Sequence, residues 1–409
     1  MLFLGAVLLA GCAGGPAGYY SGGYPGGTQL GTSPAASSAE RVAILLPLTG
    51  PRADIGDAML KAAQLALSPP GSPRLTSYDT RGTPEGASDA ARTAIAQGAG
   101  LILGPLTAPE TAAVAPIGRS AGVAVLAFTN DPAQAQPGTW TLGITPTQQV
   151  RRLAAAAVGQ DRNRFAALLP ANNLGNIMAE ALRQAAAAEG APPPEIRLHQ
   201  PGMPAITAAV RDLSGYAQRR GPLDARIKAA RALNTPESRQ EAHDLAKAPI
   251  PPAPFNALLL ADTGDELAAV AAMLPYYDVD RSAVRIMGPS SWASSASGSG
   301  QMPGAWFAAP DPAARTTLEQ DYTNRHGQAP PAVADLAFDA ASIARVLAAR
   351  RDGFSIRALT QPSGFEGADG WLALQPDGNV RRGLGVFRID RGGPSMIEPA
   401  PDPASGHGS

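Results

Sequence analysis

Two α/β lobes, each a doubly wound parallel sheet, are what this sequence predicts, and three observations carry the prediction. Short apolar runs, of the kind found in strands buried on both faces, alternate with stretches of helical periodicity, as in a βαβ series. That alternation occurs twice, over residues 41–128 and again over 165–287. The 409 residues, 44% hydrophobic with a formal net charge of −1, are enough for two or three domains of ordinary size. So balanced a charge offers no field to condense on nucleic acid, and no nucleic-acid partner is expected.

The first series opens with RVAILLPL at 41–48, a continuous apolar run closed by Pro47, Thr49, Gly50 and Pro51. A helix follows with Ile55, Met59, Leu60, Ala63 and Leu67 on one side. Strands at 75–78, 100–103 and 123–128 then alternate with helices at 85–97 and 109–119. The second series runs through strands 165–169, 195–199, 257–260 and 284–287, with helices 175–188, 205–218 and 264–274 between them. Residues 221–254 stand apart, because about 34 residues separate a helix from the next strand where two to six are usual. Their mixed charges and scattered Ile227, Leu233 and Leu245 predict one or two surface helices, ending in a return rich in Pro249, Pro251, Pro252 and Pro254. Such an insertion is either a docking surface or a decoration packed on its lobe.

The N-terminus is a different kind of chain. Residues 1–10 (MLFLGAVLLA) are too short to span a bilayer but have the length of a signal-peptide core, and they run into Leu9-Ala10-Gly11-Cys12, which resembles a bacterial lipobox. The resemblance implies that Cys12 is acylated and becomes the first residue of the mature protein. With Ala13, not Asp, after it, the outer membrane is the implied destination. No Lys or Arg precedes the apolar core, so a translation start upstream of Met1 is expected. Residues 13–39, rich in Gly, Ser, Ala, Pro and Tyr, read as a flexible tether of r.m.s. span about 30 Å. Residues 393–409 hold too little apolar content to offset their ordering entropy and read as a disordered tail.

Motifs of catalysis are missing. The single Cys excludes an internal disulfide framework and a zinc site built on several thiolates. None of Lys61, Lys228 and Lys247 precedes Ser or Thr as in a phosphate-binding loop, and neither G-x-S-x-G nor H-E-x-x-H occurs. His199 ends a strand and reads as a solvated or hydrogen-bonded side chain. Asp262 and Asp265 read as turn and helix-start residues. No enzyme, cofactor or metal centre is expected.

Instead, small hydroxyl and amide residues collect in the strand-to-helix loops, where open α/β folds hold their ligands. They are Thr49 and Arg52, Pro105 and Thr107, Thr129 and Asn130, Asn172 and Asn173, Asp262 and Thr263, and Ser290 and Ser291. Beside helix N-termini they suit an anionic or zwitterionic ligand. Local roles compete at each position: Thr107-Ala108-Pro109-Glu110 spells a capping box, and Asn130-Asp131-Pro132 spells a turn.

Four segments, VAILLPLTGPRADIGDAMLKAAQLAL, LILGPLTAPETAAVAPI, VAVLAFTND and FEGADGWLALQPDGNVRRGLGVFRI, resemble type I periplasmic binding proteins of the leucine/isoleucine/valine class over roughly residues 41–392. The resemblance implies the type I periplasmic-binding-protein fold, two doubly wound parallel-sheet lobes joined by a three-strand hinge, with crossings near Thr145, Ser291 and Thr360. Lobe I would then hold 41–145 and 292–360, including a strand at 305–308 and helices at 313–326 and 333–350. Lobe II would hold 146–291 and 361–392. Within that class, the lipobox, the tether and FNALLLADTGDELAAVAAMLPYYDVD resemble the penicillin-binding protein activator lipoproteins of Gram-negative bacteria. Ala171-Asn172-Asn173-Leu174-Gly175 stands where amino-acid receptors often carry a Tyr-Gly pair. Larger activators carry a helical-repeat domain ahead of this fold, in the place the tether holds here.

The resemblance implies a non-catalytic outer-membrane lipoprotein, facing the periplasm, that stimulates a penicillin-binding protein in peptidoglycan synthesis. Arg226, Arg231 and Arg239 of the insertion are its expected partner-binding residues, since a guanidinium can both pair with carboxylates and stack on aromatics. A periplasmic receptor that closes on an amino acid or small peptide and feeds a transporter is the alternative, with the ligand in the interlobe cleft. Cys12→Ala should release the protein from the outer-membrane fraction after a carbonate wash. Retention there would show that acylation of Cys12 is not the anchor, which by one chain alone would be marginal.

Overall fold

The computed structural model describes residues 41–293 and 302–401. The expected signal peptide, Cys12 and the tether lie outside the described residues, as do 402–409. The chain starts with β1 (Arg41–Leu46), α1 (Ala53–Ala66), β2 (Arg74–Asp79), α2 (Pro84–Ala96), β3 (Leu101–Leu103), α3 (Ala108–Ala121), β4 (Ala124–Ala127) and β5 (Thr139–Thr141). These strands pair parallel in the order β2-β1-β3-β4-β5. Strand β1 is apolar from Val42 to Leu46 because both of its faces are covered. Val42, Ile44 and Leu46 pack with Met59 of α1, while Ala43 and Leu45 pack with Ala87 and Ala91 of α2. Thr83 starts α2 by accepting a hydrogen bond from Gly86 N at 3.0 Å, and Gly122 ends α3 at φ 67°.

After Gly143 and Ile144 the chain crosses to a second sheet. There α4 (Pro146–Val158), β6 (Phe165–Pro170), α5 (Asn173–Ala188), β7 (Glu195–His199) and α6 (Met203–Leu213) lead into α7 (Tyr216–Leu233) and α8 (Pro236–Lys247). They are followed by β8 (Ala257–Leu260), α9 (Gly264–Tyr276), β9 (Arg285–Met287) and β10 (Trp306–Ala309). A second crossing at Pro310 and Asp311 brings α10 (Pro312–His326), α11 (Ala334–Ala348) and the single turn α12 (Ile356–Leu359) back onto the first core. There β11 (Phe365–Gly367), β12 (Gly370–Leu374) and β13 (Val380–Arg382) form a small antiparallel sheet. The third crossing, at Gly383 and Leu384, delivers β14 (Gly385–Asp390) and β15 (Gly393–Glu398) to the second sheet, whose order is β15-β14-β10-β9-β8-β6-β7.

Three expected boundaries move. The strand expected in lobe I at 305–308 is β10, and it belongs to the second sheet, parallel to β9 and antiparallel to β14. Its partners decide this: Phe307 stacks on Phe387 with ring centroids 5.3 Å apart, and Trp306 is buried in the second lobe's core. The second crossing therefore falls past Ala309 instead of at Ser291. Residues 365–382, expected in lobe II, belong with lobe I, because Phe365, Leu372, Leu374 and Val380 bury themselves among Met59, Trp140 and Ile343. The third crossing accordingly moves from Thr360 to Gly383. The tail expected from 393 onward begins with β15, an edge strand held by backbone pairing to β14 and by Glu398, which accepts from Arg152 Nη2 at 2.8 Å.

At the hinge the polar groups are tightly tied. Arg382 has no exposed surface; its Nη2 donates to Leu142 O at 2.7 Å and its Nη1 lies 3.4 Å from Asp339 Oδ2. Asp339, equally buried on α11, accepts from Ala368 N at 2.5 Å. On the other side Arg152 Nε donates to Leu384 O at 2.8 Å, and Gln148 Nε2 donates to Val380 O. Ends of the first and third crossings are thus joined by side chains of both lobes. Arg382→Ala should lower the unfolding free energy by about 3–5 kcal/mol, because it leaves the Asp339 carboxylate buried without its cation. Arg382→Met combined with Asp339→Asn should recover most of that loss in denaturant titrations. An equal loss in both proteins would show that the pair is not what matters.

Candidate functional site

A cavity of about 750 Å³ opens where the first sheet meets the hinge. Its apolar wall is Leu106, Phe128, Ile144, Val333 and Leu336, and its polar groups are Thr107, Thr129, Asn130, Asp131, Asp311, Arg315, Asp335 and Asp369. The N-terminal ends of α3, α10 and α11 all reach it. Gly104, at φ 88°, lies just ahead of the lining residues Leu106 and Thr107: a Cβ there would come within 2.4 Å of Leu45 O, so the β3–α3 loop can close against β1 only with glycine.

Of the loop residues expected to meet in a cleft, Thr107, Thr129 and Asn130 line this cavity. Two of them already serve the backbone. Thr107 donates from N and Oγ1 to Glu110 Oε2, at 3.0 and 2.5 Å, in the capping box of α3, and Thr129 Oγ1 accepts from Asp131 N at 3.1 Å. Pro105 lies behind them, its carbonyl accepting from Phe128 N at 2.9 Å. The remaining residues stand elsewhere. Thr49 Oγ1 donates to Asp79 Oδ2 at 2.6 Å, and Arg52 is exposed at the start of α1. Asn172 Oδ1 caps α5 through Gly175 N at 2.9 Å, with Asn173 the first residue of that helix. Ser290 N donates to Gln149 Oε1 at 2.9 Å, Ser291 is the next residue of that short 3₁₀ turn, and Thr263 precedes α9.

Asp262 has an unexpected partner. It is buried at the carboxyl end of β8, with His199 Nε2 3.2 Å from Oδ1 and 3.3 Å from Oδ2. Its carbonyl accepts from Trp292 Nε1 at 2.9 Å. His199 Nδ1 faces Gln200 O at 3.1 Å, so both ring nitrogens meet acceptors and the imidazolium is favoured. The Asp262 carboxylate accordingly raises the His199 pKa above its ordinary value against the cost of burial.

The groups that sequence reasoning missed are the acids of α11. Arg315 Nε meets Asp335 Oδ2 at 2.5 Å, and Arg315 Nη2 donates to Pro330 O at 2.7 Å. Asp335 Oδ1 is buried with no donor opposite it, and the carboxyl of Asp369, in the β11–β12 turn, faces Asp335. Burial, with Asp369 close by, pushes Asp335 up to about 6 although Arg315 pulls the other way. Burial likewise raises Asp369, and pushes Asp339 to about 7 against the pull of Arg382. Gly367 permits the packing, since a Cβ there would lie 2.3 Å from Asp339 Oδ1. A signal was present in the sequence: Asp335 and Asp339 stand one helical turn apart in ADLAFDAASIARVLA, a helix otherwise mostly apolar. Among the described residues no group of three or more His, Cys, Asp or Glu is arranged to hold a metal ion.

The expected insertion forms an antiparallel pair of helices. It begins earlier than 221, at Tyr216, and Asn234 in the left-handed region turns the chain between α7 and α8. Ile227, Ala230 and Ala242 form a small core of their own with Leu223 and Leu245. Arg219 pins the root by donating to Ser214 O, Pro251 O, Tyr277 O and Asp278 O at 2.8, 3.0, 2.7 and 3.2 Å. Arg226, Arg231 and Arg239 are all exposed.

The His199–Asp262 pair makes stability depend on pH in one direction. With the folded pKa raised, its contribution is present in full below the unfolded value near 6.5 and is lost as pH rises through the folded value. Wild type should therefore exceed His199→Gln by about 2 kcal/mol in urea unfolding at pH 5.5, and the gap should narrow toward pH 9. A gap that is constant or widens with pH would mean that the imidazole is neutral in the folded protein.

The model of the periplasmic binding protein family matches residues 40–394. Among solved structures, a branched-chain amino acid ABC transporter periplasmic ligand-binding protein from Burkholderia xenovorans is similar at TM-score 0.62 and 14% identity, over 90% of this chain and 96% of its own. The C-domain of LpoA from Haemophilus influenzae, a regulator of PBP1A, is similar at TM-score 0.60 and 17% identity, over 87% and 99%. Full-length LpoA from the same organism scores 0.61 at 17% identity, and this chain spans 59% of its length. A search of curated proteins finds no match. At these identities the solved structures establish a shared fold, and the family match extends through both sheets and all three crossings: the chain belongs to the periplasmic binding protein family.

Proposed function

We propose that this protein is a non-catalytic regulator, anchored in the outer membrane through Cys12, that binds a penicillin-binding protein and stimulates peptidoglycan synthesis. The α7–α8 helix pair is the observation that carries the reading. It is stabilised by its own small core and pinned at its root, which leaves its outer surface free for a partner. Residues 216–248 hold seven Lys and Arg against four Asp and Glu, so an acidic surface on the synthase would suit it. Leu233 and Tyr276, 69% and 68% exposed, supply apolar contact area at the tip and near the root of the pair. The loops of the second sheet also favour this reading, because Asn172, Asp262 and Ser290 are engaged by Gly175, His199 and Gln149 and do not line the cavity. The likeness to the LpoA C-domain agrees with it.

The cavity favours a second reading, a periplasmic receptor for an amino acid or small peptide. Synthase stimulation separates the two. Replacing Arg226, Arg231 and Arg239 together by Ala should reduce stimulation of a penicillin-binding protein about tenfold or more, while the far-UV circular dichroism and the melting temperature stay within those of wild type. Thr129→Ala with Asn130→Ala should leave stimulation intact. Loss through the cavity variants with the Arg variant silent would favour the receptor, and calorimetry against amino acids and muropeptides would then identify the solute.

A further inference from the structure

We propose that the 750 Å³ cavity binds a primary amine, its ammonium group seated between Asp335 and Asp369 and its alkyl portion against Leu106, Phe128 and Val333. Three observations on the cavity wall lead there, and none depends on the regulatory reading above. The first is charge. The lining holds Asp131, Asp311, Asp335 and Asp369 against the one cation Arg315, so a cationic guest is favoured and an anionic one is repelled.

The second is an unfilled valence. Asp335 is 1% exposed, and its Oδ2 is engaged by Arg315, yet its Oδ1 is buried without a donor. A buried carboxylate oxygen left unpaired is costly, and the group facing it, Asp369, is another acid. A single proton held between the two carboxyls satisfies the empty cavity. An alkylammonium, with three N–H donors, satisfies both acids at once and restores their charge.

The third is shape. The polar groups are gathered at the α11 and β11–β12 side, whereas Leu106, Phe128, Ile144, Val333 and Leu336 make the rest of the wall apolar, as a guest with one charged end requires. Thr107 and Asp311 are engaged at the starts of α3 and α10, Asp311 accepting from Ala313 N at 2.9 Å, so the polar side chains at those two helix starts are already committed.

Proton release gives the test its direction. The charged and titratable groups facing the pair are Arg315 and Glu319 of α10, Arg382 of β13 and Asp339 of α11. Burial, with Asp369 and Glu319 acting against Arg315, holds Asp335 near 6, so an ammonium must displace a proton at pH 5 but not at pH 8. Calorimetric titration of the full chain with n-pentylamine should show saturable binding that tightens about tenfold from pH 5 to pH 7.5. Below pH 6 the heat should vary with the ionisation enthalpy of the buffer. Pentan-1-ol and valerate should bind at least about tenfold more weakly than the amine, since neither places a cation on the acids. Asp369→Asn should weaken the amine about tenfold and flatten the pH dependence. Because that variant can also disturb the fold, the pH series and the alcohol comparison on wild type stand as independent readouts. Equal affinity for pentylamine and pentanol, binding that is flat in pH, or no saturation by the amine would each overturn the proposal.

Discussion

A guanidinium without exposed surface sets the architecture of this protein. Arg382 closes β13, immediately before the chain leaves for the second sheet, and it reaches both Leu142 O, just ahead of the first crossing, and Asp339 on α11. A buried charge is tolerable only with its counter-charge and its hydrogen bonds in place. Arg382 and those partners come from three separated stretches of chain, so the helix α11, the end of β5 and the small antiparallel sheet must assemble together. Arg152 is the counterpart in the other lobe, gripping Leu384 O and Glu398 from α4. The hinge is thus fastened from both sides by buried side chains.

How much of this was legible in the sequence follows from where the information resides. Strands β1, β3, β4, β6 and β8 show in the sequence because burial on both faces turns them into apolar runs. Strand β5, Thr-Trp-Thr, is three residues long and flanked by Gly and Pro, so no periodicity announces it; Trp140 is held there by donating to Gln375 O, 235 residues away. The strand at 306–309 was visible as a strand but not its sheet, since nothing in WFAA distinguishes a partner at Met287 from one in the first lobe. That choice is made by Phe387, eighty residues on, and it shifted the second crossing. The site divides the same way. Loops at Thr107, Thr129 and Asn130 followed from strand-to-helix order, whereas Asp369 reaches Asp335 only through a tertiary turn that local sequence does not encode.

The two lobes also use their polar loop residues differently. In the first, helix N-termini and acids converge on an open cavity. In the second, Asn172, His199, Asp262 and Trp292 spend their hydrogen bonds on one another or on the backbone, and Ser290 N is taken up by Gln149 Oε1. A fold shared with amino-acid receptors therefore carries, on its second lobe, a closed polar surface and an added helix pair. A shared fold does not by itself assign a task, which is carried by such local differences.

Threading of the chain has a consequence for how the protein is made. The first lobe's core includes Leu374 and Val380, and the second sheet waits for β14, whose Phe387 completes the stack on Phe307. Neither lobe can close from the first 300 residues, because each borrows strands from the final third. Contacts such as Arg152 with Glu398 span nearly 250 positions, and loop closure over that distance makes assembly slow. During synthesis both sheets expose open edges, β10 without β14 most of all, and an unpaired edge is the surface on which chains aggregate. This topology favours a chain kept unfolded until its last strands are available, and it makes β14 and β15 the step on which closure of the second sheet turns.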